Sequence, residues 1–378
     1  MRISAFRGIN NVADRTRLAP GELHSAVNLD IESTGNMASR LGRTKIQNGA
    51  AHSPFEAPFG LLVVTDNDLV LLDRAGAMVR VVYDTIGYTR VWYVQLPDGR
   101  VAFSNGLING IATADATYSW GVERPIDPGV GIPGGTPYMV THVRDADGFE
   151  GPPTYGTENI DTAQAIIGLP VRPGHTTNVY FAPDGGAMFL AGNTATDSFQ
   201  HNGAALTAQH LGGVLDVPPP GTLLYAWNSR ILIADGTVAW ATSPMRPELC
   251  AMQRDFIQMP AEITLFYSSG DGVFVGTTEG MYFLAGQVLS KLKAQSIASG
   301  YVTRGSGVEI DLSYLNEKVR PSGFQQGTIC LLDGAVHLIY GGGQIIPLSA
   351  GRYHQRAEEV YATARLRDGC LQYLAAPV

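Results

Sequence analysis

Lysine is almost missing from this chain. After Lys45 the next is Lys291, and only Lys293 and Lys318 follow. Arginine supplies the rest of the positive charge. Protein interfaces share that bias, because a planar, weakly hydrated fork suits them better than an ammonium. A GC-rich genome would produce it too. Charge is sparse as a whole: Asp, Glu, Lys and Arg make up 16% of the sequence, against about a quarter in ordinary soluble domains. Either much of the surface meets protein or the core is generous. Cysteine is limited to Cys250, Cys330 and Cys370. Three widely spaced thiols make neither a disulfide framework nor a zinc pattern, so buried free thiols in a reducing compartment are expected. No apolar run is long enough to span a bilayer, and no signal-like apolar core opens the chain. Synthesis in a cytosol, without membrane insertion, is therefore expected.

Glycine and proline are what the chain has in quantity, 45 and 22 in 378 residues. With little helical periodicity, that density means short strands joined by many turns. Leu61–Thr65 and Leu69–Leu72 flank Asp66-Asn67-Asp68, and Met78–Tyr83 follows. Val91–Leu96 and Val101–Ser104 flank Pro97-Asp98-Gly99. Later pairs flank Asp235-Gly236, Glu279-Gly280, Asp333-Gly334 and Asp368-Gly369. Asp-Gly between apolar runs is a strong hairpin signal, because both central residues of a type I′ turn take positive φ. The turn glycines at 236, 280, 334 and 369 lie about 35 to 55 residues apart, which brackets the blade period of a propeller. The expected fold is all-β: a β-propeller of roughly five to seven blades over 46–132 and 216–378. A pair of stacked sandwiches is the competing arrangement.

Two segments break the rhythm. Residues 133–215 lie between Pro133-Gly134-Gly135-Thr136-Pro137 and Val217-Pro218-Pro219-Pro220-Gly221. Strands are expected at Tyr138–Arg144, Ala165–Leu169 and Asn178–Ala182, which suits an inserted fibronectin-III- or immunoglobulin-like sandwich. Residues 1–45 read as an extended arm, with a short helical turn from Leu18 through Ala26 and a strand through Val27, Leu29 and Ile31. The arm holds seven Arg or Lys and four acids, a net of +3, leaving −11 on the body. An acidic body argues against phosphate-neutralising nucleic-acid binding.

Signatures of chemistry are weak. Asp145, Asp147 and Glu150 begin like a calcium loop, but Gly148 and Glu150 fall at the wrong positions for an EF-hand, and a hairpin turn fits better. His201 and His210 do not have the spacing of a helical metal site. No nucleophile elbow, Walker loop or dinucleotide fingerprint is present. Gly305, Gly307 and Gly341-Gly342-Gly343 read as bulges or turns. No carboxylate spacing picks out a glycosidase pair. Tyr118, Trp120, Trp227 and Trp240 are expected to pack between blades rather than hold sugar. No enzyme activity, cofactor or metal is expected.

Three stretches together resemble bacteriophage tail and head-to-tail virion proteins of the β-propeller type. The first is the arm, with Gly8-Ile9-Asn10-Asn11, Ala26-Val27-Asn28 through Ile31, Gly35, and Arg40 through Thr44. The second is Trp120-Gly121-Val122-Glu123-Arg124-Pro125, followed by Gly148–Pro153 and Asn178–Phe181. The third is Ser229–Ala234 with Ala241–Pro244 and Arg246-Pro247, continuing through Gly272–Thr277 and Gly280–Gly286. The resemblance implies a virion protein forming a homo-oligomeric ring around the DNA path, as tail nozzle, hub or DNA-stabilising part. Its partners would be adaptor, tail or fibre subunits, and phage DNA would pass without sequence-specific binding. Arg7, Arg15, Arg17, Arg40 and Arg43 are the expected intersubunit residues. A receptor- or glycan-binding tip protein and a glycan-cleaving propeller enzyme are the alternatives.

Overall fold

The computed structural model describes residues 7–25, 29–31, 37–39, 50–131, 136–156, 165–210, 214–315, 317, 319–349, 351–367 and 370–378. Among them there is no α-helix, only three single 3₁₀ turns at Arg15–Arg17, Leu289–Lys291 and Leu312–Tyr314. The chain divides into two units. One contains Met1–Ile46, Gly236–Val238 and Gln258–Val378; the other contains Gln47–Asp235 and Ala239–Ile257.

In the second of these units, three antiparallel meanders follow one another. The first runs through Ala51–Ala57, Gly60–Thr65, Asp68–Leu72 and Met78–Tyr83. Next come Trp92–Gln95, Val101–Ser104, Asn109–Ala112 and Thr117–Tyr118. The third comprises Leu223–Trp227, Arg230–Asp235, Val238–Ser243 and Arg246–Cys250, with Phe256–Gln258 added beside Val238–Ser243. The strand Val101–Ser104 is buried on both faces. Side chains alternate across a strand, so Val101 and Phe103 join Leu62, Val64 and Leu71 in one core. Ala102 instead joins Val94, Ile111, Leu224 and Ile233 in the next. Each meander thus shares an apolar core with its neighbour.

The insert in this unit is two small sheets. Thr154–Tyr155, Tyr138–Arg144, His175–Phe181 and Phe189–Thr194 form one, and Val130–Gly131, Ala165–Ile167 and Ser198–Gln200 the other. Tyr138, Val140, Val179 and Phe181 of the first pack with Ile166 and Phe199 of the second. Val130–Gly131 pairs with Ala165–Ile167, so strand pairing of the insert begins ahead of the proline bracket at 133.

The other unit repeats the device. Ile263–Ser269, Gly272–Thr277, Gly280–Ala285 and Lys293–Ser299 form one meander, and Val308–Asp311, Gln326–Leu332, Ala335–Tyr340 and Gln344–Pro347 the next. Cys330 and Leu332 pack with Phe274 and Phe283. Ile329 points the other way, into a core that Leu371 and Tyr373 of the hairpin Val360–Arg367 and Cys370–Pro377 complete.

Two local expectations need correction. No helical turn forms over residues 18–25. Gly21 takes φ +91°, and Glu22–Leu23 instead pairs in parallel with Gly8–Ile9. The Glu22 carboxylate accepts from Asn10 Nδ2 and the Ala19 amide, both at 3.1 Å, which ties the loop to the strand. The turn chemistry also differs. Asp333-Gly334 has both residues at positive φ, whereas Asp98-Gly99 and Asp235-Gly236 place only the glycine there. Asp66-Asn67 and Asn228-Ser229 take the doubly positive conformation without glycine. The Asp368-Gly369 turn lies outside the described residues.

Candidate functional site

The loop Asp145-Ala146-Asp147-Gly148 closes a tight hairpin turn, with the Gly148 amide on the Arg144 carbonyl at 2.8 Å and Gly148 at φ +72°. Asp147 curls back from this turn. Its two oxygens accept from Arg144 Nε at 2.9 Å and Nη2 at 2.8 Å. Arg100, from the second meander, reaches the same carboxylate at 3.0 Å and also holds Asp98. Arg144 Nη1 donates to the carbonyl and hydroxyl of Ser119, both at 3.0 Å. Both guanidinium groups lie over Phe149, with Cζ 4.2 Å (Arg100) and 5.6 Å (Arg144) from its ring centroid.

Glu150, two residues further on, does a parallel job. One oxygen accepts from the Thr141 hydroxyl at 2.6 Å, the Tyr180 hydroxyl at 2.5 Å and Asn178 Nδ2 at 3.1 Å. The other meets Arg246 Nη2 of the third meander at 3.2 Å, and Arg246 Nε donates to Glu248. Burial pushes the Glu150 carboxyl up, but the three hydrogen bonds and the Arg246 charge outweigh it and hold the group ionised below its usual range. Burial, then the charge of Glu150, push the Tyr180 phenol well above its usual value. Asp147 and Glu150 therefore serve as anchors for arginine. Among the described residues, no three His, Cys, Asp or Glu side chains gather as metal ligands.

Glycine makes the rest of the joint possible. A Cβ on Gly121 would lie 2.6 Å from Val217 Cγ1, and one on Gly151 would lie 2.5 Å from the Val122 carbonyl oxygen. Trp120 is fully buried beside them and donates Nε1 to the Pro247 carbonyl at 2.9 Å. Trp120 and Trp227 are both buried, and Tyr118 lies against Arg144 at 4.9 Å. Trp240 is half-buried.

A recess of about 610 Å³ opens beside the joint, lined from residues 94–98, 100, 148–149, 226–231 and 245–248. Its walls are mostly apolar, with Arg100, Arg230, Arg246, Asp98 and Glu248 among them. Arg230 Nη1 donates to Asp255 at 2.9 Å and to the Thr242 carbonyl at 3.0 Å. Arg254 also holds Asp255, at 2.7 Å.

The arginines expected to contact other subunits lie elsewhere. Arg7, Arg15 and Arg17 are exposed, the last two on one 3₁₀ turn capped by Asp14. Arg40 and Arg43 lie outside the described residues. Asn10 bonds within the arm, and Asn11 of the Gly-Ile-Asn-Asn run ties the arm to residues 352–354. The Asn11 amide donates to the Arg352 carbonyl at 2.9 Å, its side chain donates to the His354 carbonyl at 2.8 Å, and the His354 amide donates back at 2.9 Å. His201 and His210 do not meet: one ring packs on Phe181 and the other on Tyr180. Sequence reasoning missed Arg100, Arg144, Arg230 and Arg246. Their signal was the preference for arginine over lysine, read there as a surface property.

No protein-family profile matches the chain, and no curated protein matches it. Among solved structures it is similar to BBS1N in complex with ARL6DN, at 12% identity and a TM-score of 0.35, covering 86% of this chain and 88% of that one. It is also similar to streptogramin B lyase, at 10% identity and a TM-score of 0.32, covering 85% and 90%. Likenesses this slight assign neither family nor activity.

Proposed function

We propose that this chain is a structural subunit of a bacteriophage tail, acting by geometry rather than by catalysis. In this reading the face-to-face meanders are blades of a β-propeller, and the two-sheet insert is an immunoglobulin- or fibronectin-III-like module. Copies form a ring around the DNA path as nozzle, hub or DNA-stabilising part. One observation carries the reading: most stretches of the virion resemblance that fall in the insert-bearing unit converge on one joint. Trp120, Gly121 and Val122 form its floor, Phe149 to Gly151 its centre, and Tyr180 and Arg246 its anchors. The similarity thus follows a device that fixes a projecting module rigidly to a stack of sheets, as a load-bearing particle component requires. The net −11 on residues 46–378 suits a conduit that DNA must leave without sticking. The exposed Arg15 and Arg17 supply positive charge for a neighbouring subunit.

The test is charge reversal on the arm. An Arg15→Glu/Arg17→Glu protein should fold normally, because both side chains are exposed, yet fail to enter particles when it replaces the natural chain. Normal incorporation would refute the intersubunit role of the arm.

A further inference from the structure

The recess beside the joint has no task in that architecture, and its walls have the chemistry of a ligand site. We propose that it binds a neutral saccharide. At about 610 Å³ it falls within the span of small-molecule pockets, about 300–1,000 Å³. Its polar groups retain unused capacity. Arg230 engages the protein through Nη1 alone, and Arg246 through Nε and Nη2. Glu248 gives one carboxylate oxygen to Arg246; its second oxygen has no protein partner among the described residues and is not sealed from solvent. Arg246 and Glu248, paired with each other, therefore bring a free donor and a free acceptor to the recess on adjoining side chains. A hydroxyl group both donates and accepts, so a polyol uses both where a simple anion or cation uses one.

Charge points the same way. Three guanidinium groups (Arg100, Arg230, Arg246) and two carboxylates (Asp98, Glu248) line the recess, and each of the three guanidinium groups is already paired with a carboxylate of the protein. An anion would have to compete with a carboxylate that each of these arginines already holds. Met245, which is exposed, and the small uncovered part of Trp227 on the apolar wall offer contacts to the C–H groups of a sugar ring. Nucleic acid is disfavoured by the same pairing, which leaves no cluster of uncommitted arginines for phosphates.

The experiment uses the purified full chain, so its outcome is independent of particle assembly. Tetramers of glucose, galactose and N-acetylglucosamine, with galacturonate tetramers as the acidic control, are screened at about 1 mM by saturation-transfer NMR and titrated by calorimetry. At least one neutral tetramer should bind and the galacturonate should not. Gln95→Trp places bulk at an exposed strand position that lines the recess and should weaken binding at least tenfold, with the circular dichroism spectrum unchanged. Glu248→Gln should weaken it less, because the amide still accepts. Absence of binding by every neutral tetramer, equal binding of galacturonate, or unchanged affinity in the folded Gln95→Trp protein would each overturn the proposal.

Discussion

Replacing Asp147 with alanine removes the acceptor of two guanidinium groups at once. The Asp147 side chain is 6% exposed and that of Arg144 is 7% exposed. Breaking a buried pair by removing one partner costs about 3–5 kcal/mol, because the other charge is left without compensation. Arg100 is less affected, since Asp98 still holds it. Arg144 keeps the Ser119 carbonyl and hydroxyl, so the lower end of the range, about 3 kcal/mol, is expected. Native-state hydrogen exchange reads this directly. At about 1.4 kcal/mol per decade, amides of the paired strands Tyr138–Arg144 and His175–Phe181 should lose about two decades of protection. Amides of Gly272–Thr277, in the other unit, should not change. Arg144→Met/Asp147→Leu, which removes both charges, should recover most of the loss. A change below about threefold in Asp147→Ala, or a double variant as poor as the single one, would refute the assignment of Asp147 as the anchor.

Other consequences follow from the same geometry. Gly151→Ala drives a Cβ against the Val122 carbonyl and should cost about 2–3 kcal/mol in denaturant unfolding. Gly148→Ala meets nothing within 4 Å and should cost only the strain of positive φ, about 1–2 kcal/mol; equal losses would contradict this contrast. Burial pushes the thiols of Cys250 and Cys330 up to about 12, so in a Cys370→Ser background neither should react with iodoacetamide at pH 8 until the protein unfolds. Burial, with the nearby charges of His175 and Arg172, lowers His142 to about 4 from 6.5. The unfolded chain then takes up a proton that the folded chain refuses, so stability should fall as pH drops from 6.5 to about 4 and this contribution should level off below. Glu150, whose pKa is depressed in the fold, adds a further loss below about 4.5 as it protonates. Replacing His142 with asparagine should flatten the upper part of the pH profile, and an unchanged slope would show that another group titrates.

Strand positions were legible in the sequence because each is short, apolar and bounded by turn residues: Tyr138–Arg144 and Met78–Tyr83 stand as expected. Turn conformation was less legible. Asn228-Ser229 adopts the type I′ geometry without glycine because the flanking register, Trp227 opposite Arg230, demands it. The joint was hidden for a different reason. Arg100, Asp147 and Arg246 are far apart in sequence, and nothing local distinguishes an arginine that pairs inside a fold from one that faces solvent. Asp145, Asp147 and Glu150 fit a failed calcium loop, yet Asp147, besides its local pair with Arg144, meets a partner 47 residues away and Glu150 one 96 residues away. The arm showed the reverse: its arginines drew the attention, while Asn10 and Asn11 make the bonds that position it.

Electron cryomicroscopy of purified phage particles that carry this protein tests the central claim most directly. The expected result is density for multiple copies in a closed ring on the tail axis, with the two-sheet insert projecting from each copy and the arm reaching its neighbour. Particles from which the chain is absent, or in which it is a single peripheral copy away from the DNA path, would contradict it.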